Sequence, residues 1–153
     1  MRATYDDANL ILKLYELRRE ETLRKARSWF VANFSASSFE EMMQKYPMGS
    51  EESTYARMVS SYWDMAASFV TAGVLNQELF FESNREMLVV WERMRGVVDG
   101  MRQFTKDPET CANLEKVGNA YAKYLESRGP ETYSFFKGMV HSMVAPVSSG
   151  AKA

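Results

Sequence analysis

The sequence predicts an all-α protein, folded as a single compact but irregular bundle of about six or seven helices. Two observations support this fold class. Apolar residues recur at the three- and four-residue spacings of a helix, and no segment shows the alternating pattern of a strand. The four prolines and eight glycines lie mostly between the periodic segments, which predicts short connections between helices.

The first helix is predicted at residues 7–34, with Asp6 or Asp7 as its N-cap. It carries two apolar sets that point about 120° apart around the helix axis. The early set is Leu10, Leu14 and Leu17, and the later set is Leu23, Ala26, Phe30 and Phe34. Either this helix kinks near Arg19–Thr22, or its two halves pack against different neighbours.

The next two helices begin with recognisable caps. The run from Ser37 to Glu40 fits a capping box that starts a short helix ending before Pro47. Ser50 can cap a long helix that ends at Gly73, a residue suited to the left-handed C-terminal position. The predicted buried residues of the long helix are Tyr55, Met58, Val59, Tyr62, Ala66, Phe69 and Val70. Its predicted polar side consists of Arg57, Ser60, Ser61, Asp64, Ser68 and Thr71.

The second half of the chain contains four more predicted helices. Asn76 can cap a short helix, and Ser83 or Asn84 can begin a longer one. Asp107 followed by Pro108 is typical of a helix start, and that helix should end at Gly129. The buried residues of these segments should be Met87, Trp91, Met94, Val98, Met101, Cys111, Leu114, Val117, Tyr121 and Leu125. A last helix at 131–144 should bury Tyr133, Phe136, Met139, Val140 and Met143.

The length of the chain predicts one helical domain at residues 1–145, and the small polar residues at 146–153 predict a flexible C-terminal tail. The 19 basic and 20 acidic side chains leave a net charge of −1, which gives no overall attraction to nucleic acid or an anionic membrane.

The single cysteine, Cys111, permits no intramolecular disulfide, and no apolar segment is long enough to span a bilayer. We therefore expect a cytoplasmic protein.

Methionines at seven-residue spacing mark one face on each of two helices. The ladders and their tryptophans are Met58, Met65 and Trp63 in one helix, and Met87, Met94, Met101 and Trp91 in the other. We expect the two faces to meet as a central antiparallel helix pair. Inward packing is the favoured interpretation, and the alternative is a Met- and Trp-lined pocket for a small apolar ligand, or an interface.

Gly96 and Gly100 lie on one side of the predicted helix that carries the second ladder. Glycine inside a helix costs about 0.8–1.0 kcal/mol relative to alanine, so a specific reason is expected. We interpret the pair as a close helix crossing, either within the chain or across a homodimer interface.

The sequence contains no recognisable catalytic or metal-binding constellation. His141 is the only histidine and lies on a polar helix side, and the Glu-x-x-His pattern of di-iron bundles does not occur. Cys111 has no local histidine or cation that would activate its thiol. We therefore expect no metal, no cofactor and no enzymatic activity.

A basic cluster in the first helix consists of Arg18, Arg19, Arg24, Lys25 and Arg27. Glutamates at positions 16, 20 and 21 are interleaved with it at ion-pair spacings, which favours a solvated, self-neutralising face. Nucleic-acid binding through the Arg18–Arg27 face is the alternative interpretation.

Four short motifs are Lys25-Ala26-Arg27, the turn Ala72-Gly73-Val74-Leu75, the short helix Gln77–Glu82, and Trp91-Glu92-Arg93. Together they resemble an uncharacterised bacterial family of helical proteins, grouped as a domain of unknown function, over about two-thirds of the chain. The resemblance implies a helical fold and supplies no activity or site residue. Some members carry an N-terminal membrane helix, which we do not expect here because the first residues contain no apolar run.

These observations favour a non-catalytic protein-interaction or scaffold module. Abundant methionine and aromatic side chains can supply an adaptable apolar surface. We expect its partner to be a second copy of the chain or another protein.

Overall fold

The computed structural model describes residues 1–144, and within them the chain forms nine α-helices and no strand. The helices are α1 (Tyr5–Arg18), α2 (Glu21–Asn33), α3 (Phe39–Lys45), α4 (Glu51–Thr71), α5 (Gln77–Ser83), α6 (Arg85–Met94), α7 (Val98–Thr105), α8 (Ala112–Arg128) and α9 (Thr132–Ser142). The all-α prediction is confirmed. The predicted count of six or seven was too low because two predicted helices each break in two. The predicted tail at 146–153 lies outside the described residues.

The first predicted helix is divided at Arg19 and Glu20 into α1 and α2. Glu20 causes the restart, because its carboxylate accepts hydrogen bonds from the backbone N–H groups of Thr22 at 3.0 Å and Leu23 at 2.9 Å. Of the two alternatives, the kink near Arg19–Thr22 is therefore correct, and it amounts to a complete break.

The N-cap of α1 is Thr4, so the prediction of Asp6 or Asp7 was wrong. Asp7 is instead the third helical residue of a capping box and accepts from the Thr4 backbone N–H at 2.7 Å. Its second carboxylate oxygen accepts from the backbone N–H of Asn76 at 2.7 Å, which fastens α1 to the start of α5. Asp7 thus completes the capping box of α1 and also connects α1 to the start of α5, a segment distant in the sequence.

Asp7 should make folding stability sensitive to acid. The backbone N–H groups of Asn76 and then Thr4 hold the pKa of its carboxyl below the ordinary value. A depressed native-state pKa stabilises the fold above the unfolded-state pKa, and this contribution is lost as the pH falls through the native value. We expect Asp7→Asn to be less stable than wild type at pH 7, with the difference shrinking toward pH 2.

Urea unfolding of the two proteins at a series of pH values measures this difference directly. Asp6→Asn is the matched control, because Asp6 is exposed and lies in the same helical turn. It should lower stability less than Asp7→Asn at pH 7. An Asp7→Asn deficit that stayed constant down to pH 2 would contradict the assigned role.

The predicted helix with the second methionine ladder also breaks, between Met94 and Val98. Gly96 lies in this break, where a Cβ atom would come within 3.0 Å of the Ser37 carbonyl oxygen. The prediction that Gly96 and Gly100 lie on one side of a single helix was therefore wrong, because only Gly100 is helical. Glycine's poor helix propensity and the nearby Ser37 backbone are consistent with a break here.

Two other helix starts are confirmed, because Ser50 and Asn76 accept hydrogen bonds from the backbone N–H groups three residues ahead and so cap α4 and α5. Helix α3 begins one residue later than the predicted capping box, with Ser38 as its cap and the backbone N–H of Glu41 as the donor. Gly73 has the predicted left-handed conformation, with φ of +73°. The predicted start of the eighth helix at Pro108 was wrong, because the helix begins only after Cys111, which is itself left-handed with φ of +58°.

Helix α4 lies at the centre of the bundle. It packs chiefly against α2 and α8 and less extensively against α6, so the core is not organised around a single helix pair. In the second half of α4, the Asp64 carboxylate accepts from the Leu114 backbone N–H at 2.9 Å, at the start of α8. Because neighbours surround α4 on several sides, Ser60 is buried, although the sequence placed it on a polar side.

Candidate interaction surface

The methionine and tryptophan residues of the two ladders lie mainly in the protein core. Trp63, Met87, Trp91 and Met94 are fully or almost fully buried. Met58 and Met101 are half-buried against this core, and Met65 is exposed. That these side chains bind an apolar ligand stays a prediction, and neither cavity described below is lined by any of them.

The two tryptophans pack against different elements and do not converge on one site. Trp63 packs edge-on against Tyr62 and Phe80, and the Arg18 guanidinium lies 5.1 Å from its ring centre. Trp91 instead faces α8, where its indole N–H donates to Asn119 Oδ1 at 3.2 Å. The arrangement joins helices on two sides of the core.

Two glycines permit close approach between elements of this chain. A Cβ atom at Gly100 would lie 2.3 Å from Cβ of Phe39, at the start of α3. A Cβ atom at Gly118 would lie 2.3 Å from the Trp91 ring. The space beside Gly100 is therefore filled by the chain's own α3, and the Gly118 contact was not found from the sequence.

The basic cluster does not form one exposed face. Arg18 is buried, and Arg27 forms a bidentate pair with Glu86 of α6, with an Nη2–Oε2 distance of 2.6 Å. Lys25 pairs with Glu21 at 3.4 Å, as its spacing predicts, whereas Glu20 caps α2. The two ends of the predicted nucleic-acid face are thus engaged in holding helices together.

Cys111 and His141 are the side chains that the sequence analysis considered for catalysis or metal binding. Burial raises the pKa of the Cys111 thiol to about 11, with a smaller contribution from Asp64, so the nucleophilic thiolate is scarce at neutral pH. His141 is exposed on α9. Across residues 1–144, no group of three or more His, Cys, Asp or Glu side chains could hold a metal ion.

Arg93 lies in an environment that the sequence did not predict. Its side chain is 8% exposed and donates to the backbone carbonyls of Phe30, Val31 and Phe34 at the end of α2. It also donates to the carbonyl of Val140 near the end of α9, at 2.9 Å. Carbonyls in the last turn of a helix lack intrahelical partners, although the Phe30 oxygen also accepts from the Phe34 backbone N–H at 3.0 Å. One guanidinium therefore binds the ends of two helices.

Helix α1 carries a row of mostly exposed side chains beside its core-facing residues. We call this row the α1 seam, and it consists of the exposed Tyr5, Leu12, Tyr15 and Arg19 and the half-buried Ala8. Tyr5 is 91% exposed, Leu12 62% and Tyr15 50%. The core side of α1 carries Asp7, Leu14 and Arg18. The sequence signal for this row is its alternating spacing of three and four residues. The sequence analysis instead assigned the apolar face of this segment to the set that contains Leu14.

A second exposed apolar row lies on α9, at Phe135, Met139 and Met143. The prediction that Met139 and Met143 are buried was wrong, because α9 is covered only on the side that meets α6 and α8. A cavity of about 370 Å³ beside it is lined by Arg85, Glu131, Phe135 and Met139, among others. A more polar cavity of about 570 Å³ lies between the N-terminus and the α4–α5 turn.

The family model described as "Domain of unknown function (DUF4760)" matches residues 3–121, from the start of α1 into α8. No curated protein and no solved structure matches the chain. Within the described part of the chain, none of the helices combines the length and apolar character that crossing a bilayer requires.

Proposed function

We propose a non-catalytic interaction or scaffold role for this chain, which belongs to the DUF4760 family, a domain of unknown function. The proposed partner is a second copy of the chain. The α1 seam is the observation that carries this proposal, because its large side chains Tyr5, Leu12 and Tyr15 are exposed together on one helix, and such apolar exposure is typical of interaction sites. The single cysteine fits a reducing compartment such as the cytoplasm.

The two alternative functions receive less support from the same structure. The ladder residues that would form an apolar ligand pocket are mostly packed inside the core. Two of the basic residues that would contact phosphates are engaged within the protein, because Arg18 lies over Trp63 and Arg27 pairs with Glu86. Neither arrangement offers a surface comparable with the α1 seam.

Sedimentation velocity of the wild-type protein over a wide concentration range tests self-association. We expect the weight-average mass to rise from that of one chain toward that of two as the concentration increases. Raised salt should weaken association only moderately, because an apolar interface is screened less than an ionic one. A mass that stays at one chain up to about 1 mM, the concentration scale of very weak complexes, would overturn the proposed self-association.

A further inference from the structure

We propose that α9 is a displaceable strap, which undocks from α6 and α8 as a unit and leaves a groove that accepts another amphipathic helix of the same residue pattern. The pattern is a tyrosine, an aromatic residue three positions later and an aliphatic residue four positions after that, as in Tyr133, Phe136 and Val140. We call the surface of α6 and α8 beneath this helix the α9 groove, and it includes Glu92 and Arg93. Self-association is not required, because the contact lies within one chain.

The helical structure of α9 depends on its neighbours. Of its 11 residues, only Lys137 and Met139 are strong helix formers, and Gly138 lies in its interior. Its N-cap residue, Glu131, makes no side-chain capping hydrogen bond. An isolated helix shorter than about 12–15 residues is marginal in water even with favourable residues. When α9 leaves the bundle, we therefore expect it to lose its helical structure as well.

Few side chains attach α9 to the bundle. Phe136 and Val140 are its buried residues, whereas α8 buries six of its own. Two polar contacts add to them. The Tyr133 hydroxyl donates to Glu92 Oε1, and the Val140 carbonyl accepts from Arg93 at 2.9 Å. The free energy of local opening follows the buried contacts that are lost, so α9 should open at a lower cost than the helices around α4.

The rest of the bundle can stay folded when α9 undocks. Pro130 lies between α8 and α9 and has no backbone N–H, so no continuous helix couples the two. Helices α6 and α8 each pack against the central α4 as well. Arg93 would still donate to three carbonyls at the end of α2. Opening therefore leaves the contacts around α4 in place.

The α9 groove specifies the chemistry of its occupant. Arg93 binds a backbone carbonyl in the last turn of α9, so it suits the C-terminal end of any helix that enters. Glu92 accepts a hydrogen bond from a phenol, which favours tyrosine at the first position of the pattern. The seats of Phe136 and Val140 are apolar and almost closed to solvent. These are the features of a site that takes an amphipathic helix in a groove.

Native-state hydrogen exchange read by NMR tests the undocking. We expect the amides at 136–142 to exchange together, at least about 100-fold faster than the buried amides of α4. Exchange no faster than that of α4 would show that α9 opens only when the whole protein unfolds. Rates graded from the C-terminal end of α9 would show fraying. Either result overturns the strap.

Single substitutions should shift the open fraction in opposite directions. Tyr133→Phe removes the donor to Glu92 and should speed exchange of α9 about tenfold. Gly138→Ala should slow it about four- to fivefold through helix propensity. Tyr124→Phe is the matched control, because Tyr124 lies on α8 and packs through its ring on Phe81, and its effect should be below about twofold. Exchange of α9 that neither Tyr133→Phe nor Gly138→Ala changes would contradict the assigned contacts.

A labelled synthetic peptide of residues 130–144 tests the groove by fluorescence anisotropy. In the protein, Phe136→Asp places a charge in the apolar contact and should release α9. We expect the peptide to bind this variant at least about 100-fold more tightly than wild type, whose own α9 occupies the groove. A peptide that itself carries Phe136→Asp is the control and should not bind.

If the Phe136→Asp protein fails to fold, Tyr133→Phe combined with Val140→Ala provides a milder released variant for the same titration. Circular dichroism verifies that the rest of the released protein stays helical. No saturable binding of the peptide to a folded released variant up to about 1 mM would overturn the proposed docking site. Equal binding to wild type and to the released variant would also overturn it, because α9 would then not occupy the peptide's site.

Discussion

Replacing Arg93 with methionine should lower the free energy of unfolding by about 3–5 kcal/mol, the largest effect expected of any single side chain described here. Methionine has a similar length and fills most of the space, so the loss reports the guanidinium and not a cavity. Four backbone carbonyls would lose a donor in the interior, and of these only the Phe30 oxygen keeps a helical partner, the Phe34 backbone N–H. An unsatisfied buried acceptor costs about 1–3 kcal/mol.

The geometry explains why relaxation should not remove this cost. The Arg93 donors lie 2.9–3.1 Å from the oxygens of Phe30, Val31, Phe34 and Val140. Those oxygens belong to the last turns of α2 and α9, where the helix dipoles are negative. Burial lowers the pKa of Arg93, but an arginine remains charged at neutral pH. Without the cation, two negative helix ends would remain close together.

Urea unfolding followed by far-ultraviolet circular dichroism measures the loss. Arg57→Met is the matched control, since Arg57 is exposed on α4, and it should change stability by no more than about 0.5 kcal/mol. Arg93→Lys should fall between the two, because lysine keeps the charge but cannot reproduce the planar fork of donors. A loss below about 1 kcal/mol for Arg93→Met, the scale of one ordinary hydrogen bond, would refute the two-helix role.

Alanine at Gly118 and alanine at Gly138 should change stability in opposite directions. Both glycines lie inside helices, so each substitution gains about 0.8–1.0 kcal/mol of helix propensity. At Gly138 a Cβ atom meets nothing within 4 Å, and we expect the whole gain. At Gly118 the Cβ atom would lie 2.3 Å from Cδ1 and 2.4 Å from Cγ of Trp91.

The clash at Gly118 should exceed the gain, so Gly118→Ala is expected to lose about 1–3 kcal/mol overall. Trp91 is buried and hydrogen-bonded to Asn119, which restricts its freedom to move aside. Thermal unfolding of the two variants under identical conditions gives the signs, and tryptophan fluorescence reports displacement of the ring. Stabilisation by both substitutions would show that the contact between α8 and Trp91 is not tight.

The sequence predicted the features whose causes are local. Ser50 and Asn76 cap helices through backbone groups three residues ahead, so a short window contains both partners. The break near Arg19–Thr22 was one of two alternatives. The apolar spacing shows that the two apolar sets of the predicted first helix point in different directions, but it does not show which helices pack against them. Thr4 was missed as a cap because Asp6 and Asp7 offered competing signals of the same kind.

Residues with distant partners were decided by the tertiary structure. Arg93 binds carbonyls 47 to 63 residues away, and Gly118 accommodates a ring from α6, so no local pattern contains either contact. The same limit explains Met139, Met143 and Ser60, which were assigned to the wrong environment.

The sequence by itself therefore determined the all-α class, most helix positions and the family resemblance. Which apolar faces are covered was decided only when the helices packed. Periodicity shows that side chains share a face of a helix, but burial depends on whether another helix reaches that face. Tyr5, Leu12 and Tyr15 have the spacing of core residues, yet they remain exposed because neighbouring helices pack on the opposite side of α1.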